Sequence, residues 1–183
     1  MDAAPEKAAP EKAAPGKSRG RASVLRFGVG FLILCGLLMV AFYGWFSHTA
    51  AFTRYLELNA HLAGAALEMT GTEVTVDGIL VHGPGFSVEV RRGCDALQPL
   101  LLLASGILAF PVSFSRRVAG ILVGAVVLQV LNVVRVASLL LVGVHAPDAF
   151  QEAHVEVWQV GFLVATLVLW LVWLQWATRP ARG

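Results

Sequence analysis

The strongest constraint on this chain is the run FGVGFLILCGLLMVAFYGWF over residues 27–46, about twenty residues without a charge. As a helix it is long enough to cross roughly 30 Å of hydrocarbon. It is longer than a signal-peptide core and lacks a clear small-x-small cleavage site, so it reads as an uncleaved first span. Lys17, Arg19, Arg21 and Arg26 precede it and hold the N-terminus on the cytoplasmic side.

Three more apolar runs follow, at 96–114, 118–144 and 157–177. Arg116 and Arg117 mark a cytoplasmic loop after the second, and Arg179 and Arg182 follow the last, so four spans place both termini inside. Hydrophobic residues make up 57% of the 183 and charged ones only 14%, which excludes an ordinary soluble domain. The net charge of +2 sits mainly in the N-terminal tail, and no basic face interleaves with aromatics, so nucleic acid is not an expected partner. The expected fold class is an all-α integral membrane protein of about four transmembrane helices with a small outer-face cap, its first partner being the lipid bilayer. The organisation reads as a disordered cytoplasmic tail over 1–24, a first span over 25–46 and an outer segment over 47–93. A three-helix membrane core over 94–178 and a short tail over 179–183 complete it. The tail carries an Ala-Pro-Glu-Lys repeat whose prolines block a continuous helix.

The outer segment has two parts. AFTRYLELNAHLAGAALEMTG carries Leu56, Ala60, Ala63 and Leu67 at helical spacing, with Gly71 as a stop, and predicts an amphipathic helix lying in the interface. TEVTVDGILVHGPGFSVEV alternates around Asp77-Gly78 and Gly83-Pro84-Gly85, which predicts a short β-hairpin.

Two cysteines are present. Cys35 falls mid-span, roughly 16 Å deep, and reads as a buried small hydrophobe; Cys94 opens the second span at the outer boundary. Depths that different preclude a disulfide. Arg91 and Arg92 place positive charge near Cys94, and Asp95 with Gln98 resembles a capping box that would start the helix just after the thiol. The Asp95 carboxylate opposes thiolate formation, so from these residues a packing cysteine and a nucleophile stay equally open.

Arg135 is the most informative residue. A guanidinium about 13 Å below the outer surface costs several kcal/mol unless it faces a cavity or a partner. Gln129, Asn132 and Arg135 recur at spacing three and share a helix face. The five histidines, His48, His61, His82, His145 and His154, are all expected outside, and His154 has the best claim because the last span holds it. The spacings are not those of a zinc site, so no metal and no cofactor is expected. A non-enzymatic membrane scaffold or small transporter subunit, with Asn132 and Arg135 as a structural network, is the main alternative. A thiol-redox protein would need a second outer-face cysteine.

Taken together, the blocks VTVDGILVHGPGFSVEVRRGCDALQPLLLLASGILAFP, LNVVRVASLLLVG and FQEAHVEVWQ resemble the exosortase/archaeosortase family of membrane-embedded cysteine transpeptidases, nearest its short exosortase H type. The order Cys, Asn-x-x-Arg, His between apolar helices is the specific part. The resemblance implies Cys94, Arg135 and His154 as catalytic residues, with Asn132, Arg92 and Asp95 in support. Asp95 and Ala96 stand where the family often has Ser or Asn and then Gly. The implied substrates are exported proteins ending in a motif, a transmembrane segment and a basic tail, with a lipid or glycan as the acceptor of the cut chain. The implied location is the bacterial inner membrane, with the site facing the periplasm.

Overall fold

The computed structural model describes residues 16–179. Helix α1 runs over Gly16–Gly44, so the chain is already helical within the expected tail; residues 1–15 lie outside the described residues. Pro15, the last proline of the repeat, immediately precedes the first described residue. From Ser23 onward, α1 and the short turn Phe46–His48 form one apolar stretch of 26 residues.

Helix α2, Ala50–Met69, starts where the Thr49 hydroxyl accepts the Phe52 N–H at 3.2 Å. It ends where Gly71 takes φ +82°. There Gly71 N–H donates to the Glu68 carbonyl and Thr72 N–H to the Leu67 carbonyl, a paired closure that needs the left-handed residue. Leu56, Ala60, Ala63 and Leu67 are all buried, as their spacing predicts. Their cover is protein rather than lipid, however: the sheet and the outer half of α4 pack on them.

Three antiparallel strands follow where a hairpin is expected: β1 Thr75–Asp77, β2 Leu80–Gly83 and β3 Phe86–Glu89. The turns fall at Gly78 and Gly85, both at positive φ. Val81 and Val88 pair across β2 and β3 and turn inward together. At Gly64 the helix α2 approaches β1 so closely that a Cβ would meet Val76 at 2.6 Å.

Helix α3, Leu97–Ala109, corrects the expected second span. Its 13 residues cover about 20 Å, short of the bilayer core. Pro111 explains the length: the residue before a proline leaves the helical region, and Phe110 is extended at φ −85°, ψ 134°. Helix α4 then runs over Phe114–His145. After a turn at Pro147–Ala149 come α5, Phe150–Glu152, a widened turn at Ala153–Val157, and α6, Trp158–Ala177. Three helical stretches are thus long and apolar enough to cross a membrane, and α3 is a shorter apolar helix among them. The protein is an all-α membrane protein with a small β cap.

Two cores result. The outer one joins the cap to α4 through Leu56, Val81, Val90, Val136 and Leu140. The inner one joins α3, α4 and α6 through Leu103, Leu128, Phe162 and Trp173. The Trp173 indole donates to the Arg116 carbonyl at 2.9 Å, and the Arg116 guanidinium donates to the Ala177 carbonyl, which fastens the inner ends of α4 and α6.

Candidate active site

The seven residues from Val90 to Ala96 join cap to membrane core without regular structure. Val90 N–H continues the ladder to the Ile79 carbonyl at 2.8 Å and its side chain is fully buried, so the loop leaves a fixed point. Gly93 turns the chain at φ +93°, and Cys94 N–H closes the turn onto the Arg91 carbonyl at 2.8 Å. Ala96 sits at φ +58°, the one described non-glycine residue in the left-handed region. Glycine would adopt this conformation without the strain that an alanine Cβ brings.

Asp95 is fully buried and acts as a cap, though not in the expected box. Its carboxylate accepts Leu97 N–H at 2.8 Å and Gly93 N–H at 3.1 Å, and the helix opens at Leu97. Gln98 lines a cleft instead of reaching back. Burial pushes the Asp95 carboxyl above the usual carboxylate range; the two N–H donors and the charges of Arg135 and Arg92 pull the other way without cancelling it.

The carbonyls of this loop are held one by one. Arg135 Nη1 donates to the Gly93 oxygen at 3.0 Å and Asn132 Nδ2 to the Cys94 oxygen at 3.0 Å. Tyr55 Oη donates to the Asp95 oxygen at 2.6 Å. Asn132 and Arg135 thus hold the loop around Cys94, while Gln129 on the same helix face meets Tyr55 and Asn59 of α2. Arg135 is 5% exposed, its guanidinium carbon lies 5.5 Å from the Phe162 ring centre, and its Nε carries no hydrogen bond.

Across the loop, Cys94 Sγ lies 3.4 Å from His154 Nε2, although sixty residues separate them in sequence. The widened turn Ala153–Val157 carries the imidazole, with Trp158 N–H reaching back five residues to the Ala153 carbonyl. Such turns shift the residues around them relative to a regular helix and are frequent at functional sites. Phe150 stacks on the His154 ring at 5.9 Å and 22°. His48, His61 and His145 are exposed, and His82 pairs with Ser87 at 2.8 Å within the sheet. Among the described residues no group of three metal-ligating side chains gathers.

The flanking arginines each have a partner other than the thiol. Arg91 is committed to Glu89, Nη2 to Oε2 at 2.5 Å, and Arg92 lies 5.9 Å over the Tyr43 ring of α1. Cys35 is half-buried in α1, not fully buried as its position predicts. Beside Arg135 a cleft of about 490 Å³ opens, lined by Met39, Gln98, Gln159, Phe162, Leu163 and Thr166 among others. Through Leu102, Leu163 and Thr166 it adjoins an apolar cavity of about 430 Å³ that reaches Phe27 and Trp170.

A cysteine close to a histidine and a buried arginine, on a bundle of apolar helices, makes a candidate site for covalent chemistry in a membrane protein. The family model of the transmembrane exosortases (Exosortase_EpsH) matches residues 18–171, and the chain belongs to that family. Membership carries a membrane-embedded, transpeptidase-type role and protein substrates bearing sorting signals. No curated protein and no solved structure matches the chain.

Proposed function

We propose that this protein is a cysteine transpeptidase of the bacterial inner membrane that cleaves C-terminal sorting signals of exported proteins at its periplasmic face. The observation that carries the reading is the 3.4 Å approach of Cys94 Sγ to His154 Nε2 beside the buried Arg135.

His154 takes the thiol proton, and the thiolate attacks the scissile carbonyl to form a tetrahedral intermediate. Arg135 stabilises the developing oxyanion with the Nε–H that the fold leaves unused. Collapse breaks the carbon–nitrogen bond, His154 returns the proton to the leaving amine, and the acyl chain remains on Cys94 as a thioester. An amine or hydroxyl of a lipid or glycan then displaces the thiol. Asn132 and Asp95 support the loop, and Arg92 marks the outer boundary. A substrate with its own apolar segment would lay it along the apolar cavity and present its motif to the cleft at Arg135.

The test is processing of a tagged protein that ends in motif, span and basic tail, read as mass on a gel. Wild type shortens it, and Cys94→Ala slows this by about 10³-fold or more. Equal processing by both variants would remove Cys94 from the chemistry and favour a scaffold role for Asn132 and Arg135.

A further inference from the structure

We infer that Tyr55 and Asn59 of the cap helix α2 are positioning residues of the active site, acting on Cys94 through a continuous chain of hydrogen bonds. The inference rests on Cys94 being the nucleophile.

Asn59 is the hub and is fully buried. Its Oδ1 accepts from Gln129 Nε2 at 2.7 Å and from Asn132 Nδ2 at 2.8 Å, and its Nδ2 donates to the Tyr55 carbonyl at 2.7 Å. Asn132 Nδ2 uses its second hydrogen on the Cys94 carbonyl. The Tyr55 hydroxyl sits 2.8 Å from Gln129 Oε1 as well as 2.6 Å from the Asp95 carbonyl. A hydroxyl has one hydrogen and the distance to Gln129 is within bonding range, so the two contacts share it.

This arrangement does more than satisfy polar atoms. Three consecutive carbonyls, 93 to 95, are pinned from two different helices, so the peptide planes around Cys94 cannot rotate independently of α2 and α4. The thiol direction follows from those planes, while His154 arrives on a separate element. The 3.4 Å approach is therefore a register between two independently held parts, and α2 holds one of them. Asn132 Oδ1 is buried without a partner, but the links that are made favour a single geometry of the loop. Removing the Tyr55 hydroxyl frees the Asp95 carbonyl and one side of Gln129, while the ring keeps its packing.

The experiment uses the full-length protein in detergent or lipid discs with Cys35→Ser, so that Cys94 is the one cysteine. Iodoacetamide alkylation of Cys94 is followed against pH, with melting temperature and processing rate measured on the same samples. Tyr55→Phe is expected to melt somewhat below wild type, as one freed carbonyl costs, while staying folded at the assay temperature, and to shift the alkylation profile toward that of His154→Ala. Its turnover should fall about 10–100-fold with KM within about twofold, the scale of a misplaced reacting group. In the double variant Tyr55→Phe/His154→Ala the tyrosine change should add almost nothing. Asn59→Ala should behave alike where it folds; where it does not, Tyr55→Phe decides. An unchanged alkylation profile and turnover in Tyr55→Phe would overturn the inference, as would full additivity with His154→Ala. Alkylation reads the thiol without substrate. A profile that responds to Tyr55 while wild type processes no partner would therefore sink the proposed reaction and leave the positioning role standing.

Discussion

Replacing Gly143 by alanine should slow the enzyme from a distance, through packing alone. Gly143 is buried on α4, and a methyl group there would overlap the edge of the Phe86 ring from β3. Carbon atoms need about 3.5–4.0 Å, so the ring must retreat by roughly 1–2 Å. Phe86 has little freedom to do so alone, because its ring centre lies 5.1 Å from that of Phe150, which stacks in turn on His154. If about a third of the retreat reaches the imidazole, His154 moves by roughly 0.5 Å, half the displacement that costs about 10²-fold in rate.

The expected outcome is therefore about a tenfold loss of processing, with overpacking lowering stability by about 1–3 kcal/mol. The assay is the gel-based processing rate at a temperature well below the melting point, so that unfolding does not contribute. Phe86→Leu in the same chain makes room for the methyl and should restore part of the rate, giving a double-mutant cycle with clear coupling. Wild-type turnover in Gly143→Ala, or additive losses in the double variant, would refute the relay from cap to imidazole.

At the left-handed position, Ala96→Gly should fold as well as wild type, since relief of about 1 kcal/mol of strain roughly offsets the lost methyl burial. Ala96→Val should melt earlier and lose most processing, because a β-branched residue does not tolerate that backbone. For Asp95 the folded-state value is raised above the usual 3.8, so folding favours the neutral form. Its contribution to stability is then fullest at acid pH and is lost as pH rises from that value through the raised one. The difference in melting temperature between wild type and Asp95→Asn should accordingly fall with rising pH in the weakly acidic range, and a pH-independent difference would contradict the burial argument. Arg116→Ala should lower stability by about 1–3 kcal/mol through the freed Ala177 carbonyl. Its processing rate at permissive temperature should stay near wild type, because the contact lies at the far end of α4 from Cys94.

What the sequence makes legible depends on periodicity and chemistry with one local cause. The long apolar runs of α1, α4 and α6, the 3.6-residue spacing of α2, and the turns at Gly78 and Gly85 each need only their own residues. The meeting of Cys94, Arg135 and His154 follows from depth along antiparallel helices. Pro111 was a readable signal that an apolar run masks: α3 stops there although hydrophobicity continues. The rest is tertiary. Whether the apolar face of α2 meets lipid or a sheet depends on what folds over it. Tyr55 and Asn59 look like polar residues of an amphipathic helix until α4 lies against them. The widened turn at His154 has no composition of its own, and Arg91 turns to Glu89 only because β3 brings the two to the same edge.

The same geometry also explains how a buried non-helical loop is accommodated against apolar helices. Backbone carbonyls away from water must be paired, which is why helices and closed barrels dominate membranes. Polar and charged side chains in apolar surroundings are costly for the same reason. Here the two liabilities cancel, since the carbonyls of Gly93, Cys94 and Asp95 are taken by Arg135, Asn132 and Tyr55. Arg135 pins the loop with Nη1, keeps its Nε–H unpaired and lines the cleft. His154 approaches the thiol from an element that stabilises none of the three carbonyls. An unpaired cationic donor beside the cleft and an imidazole 3.4 Å from the thiol are what the proposed acyl transfer at that sulfur would use.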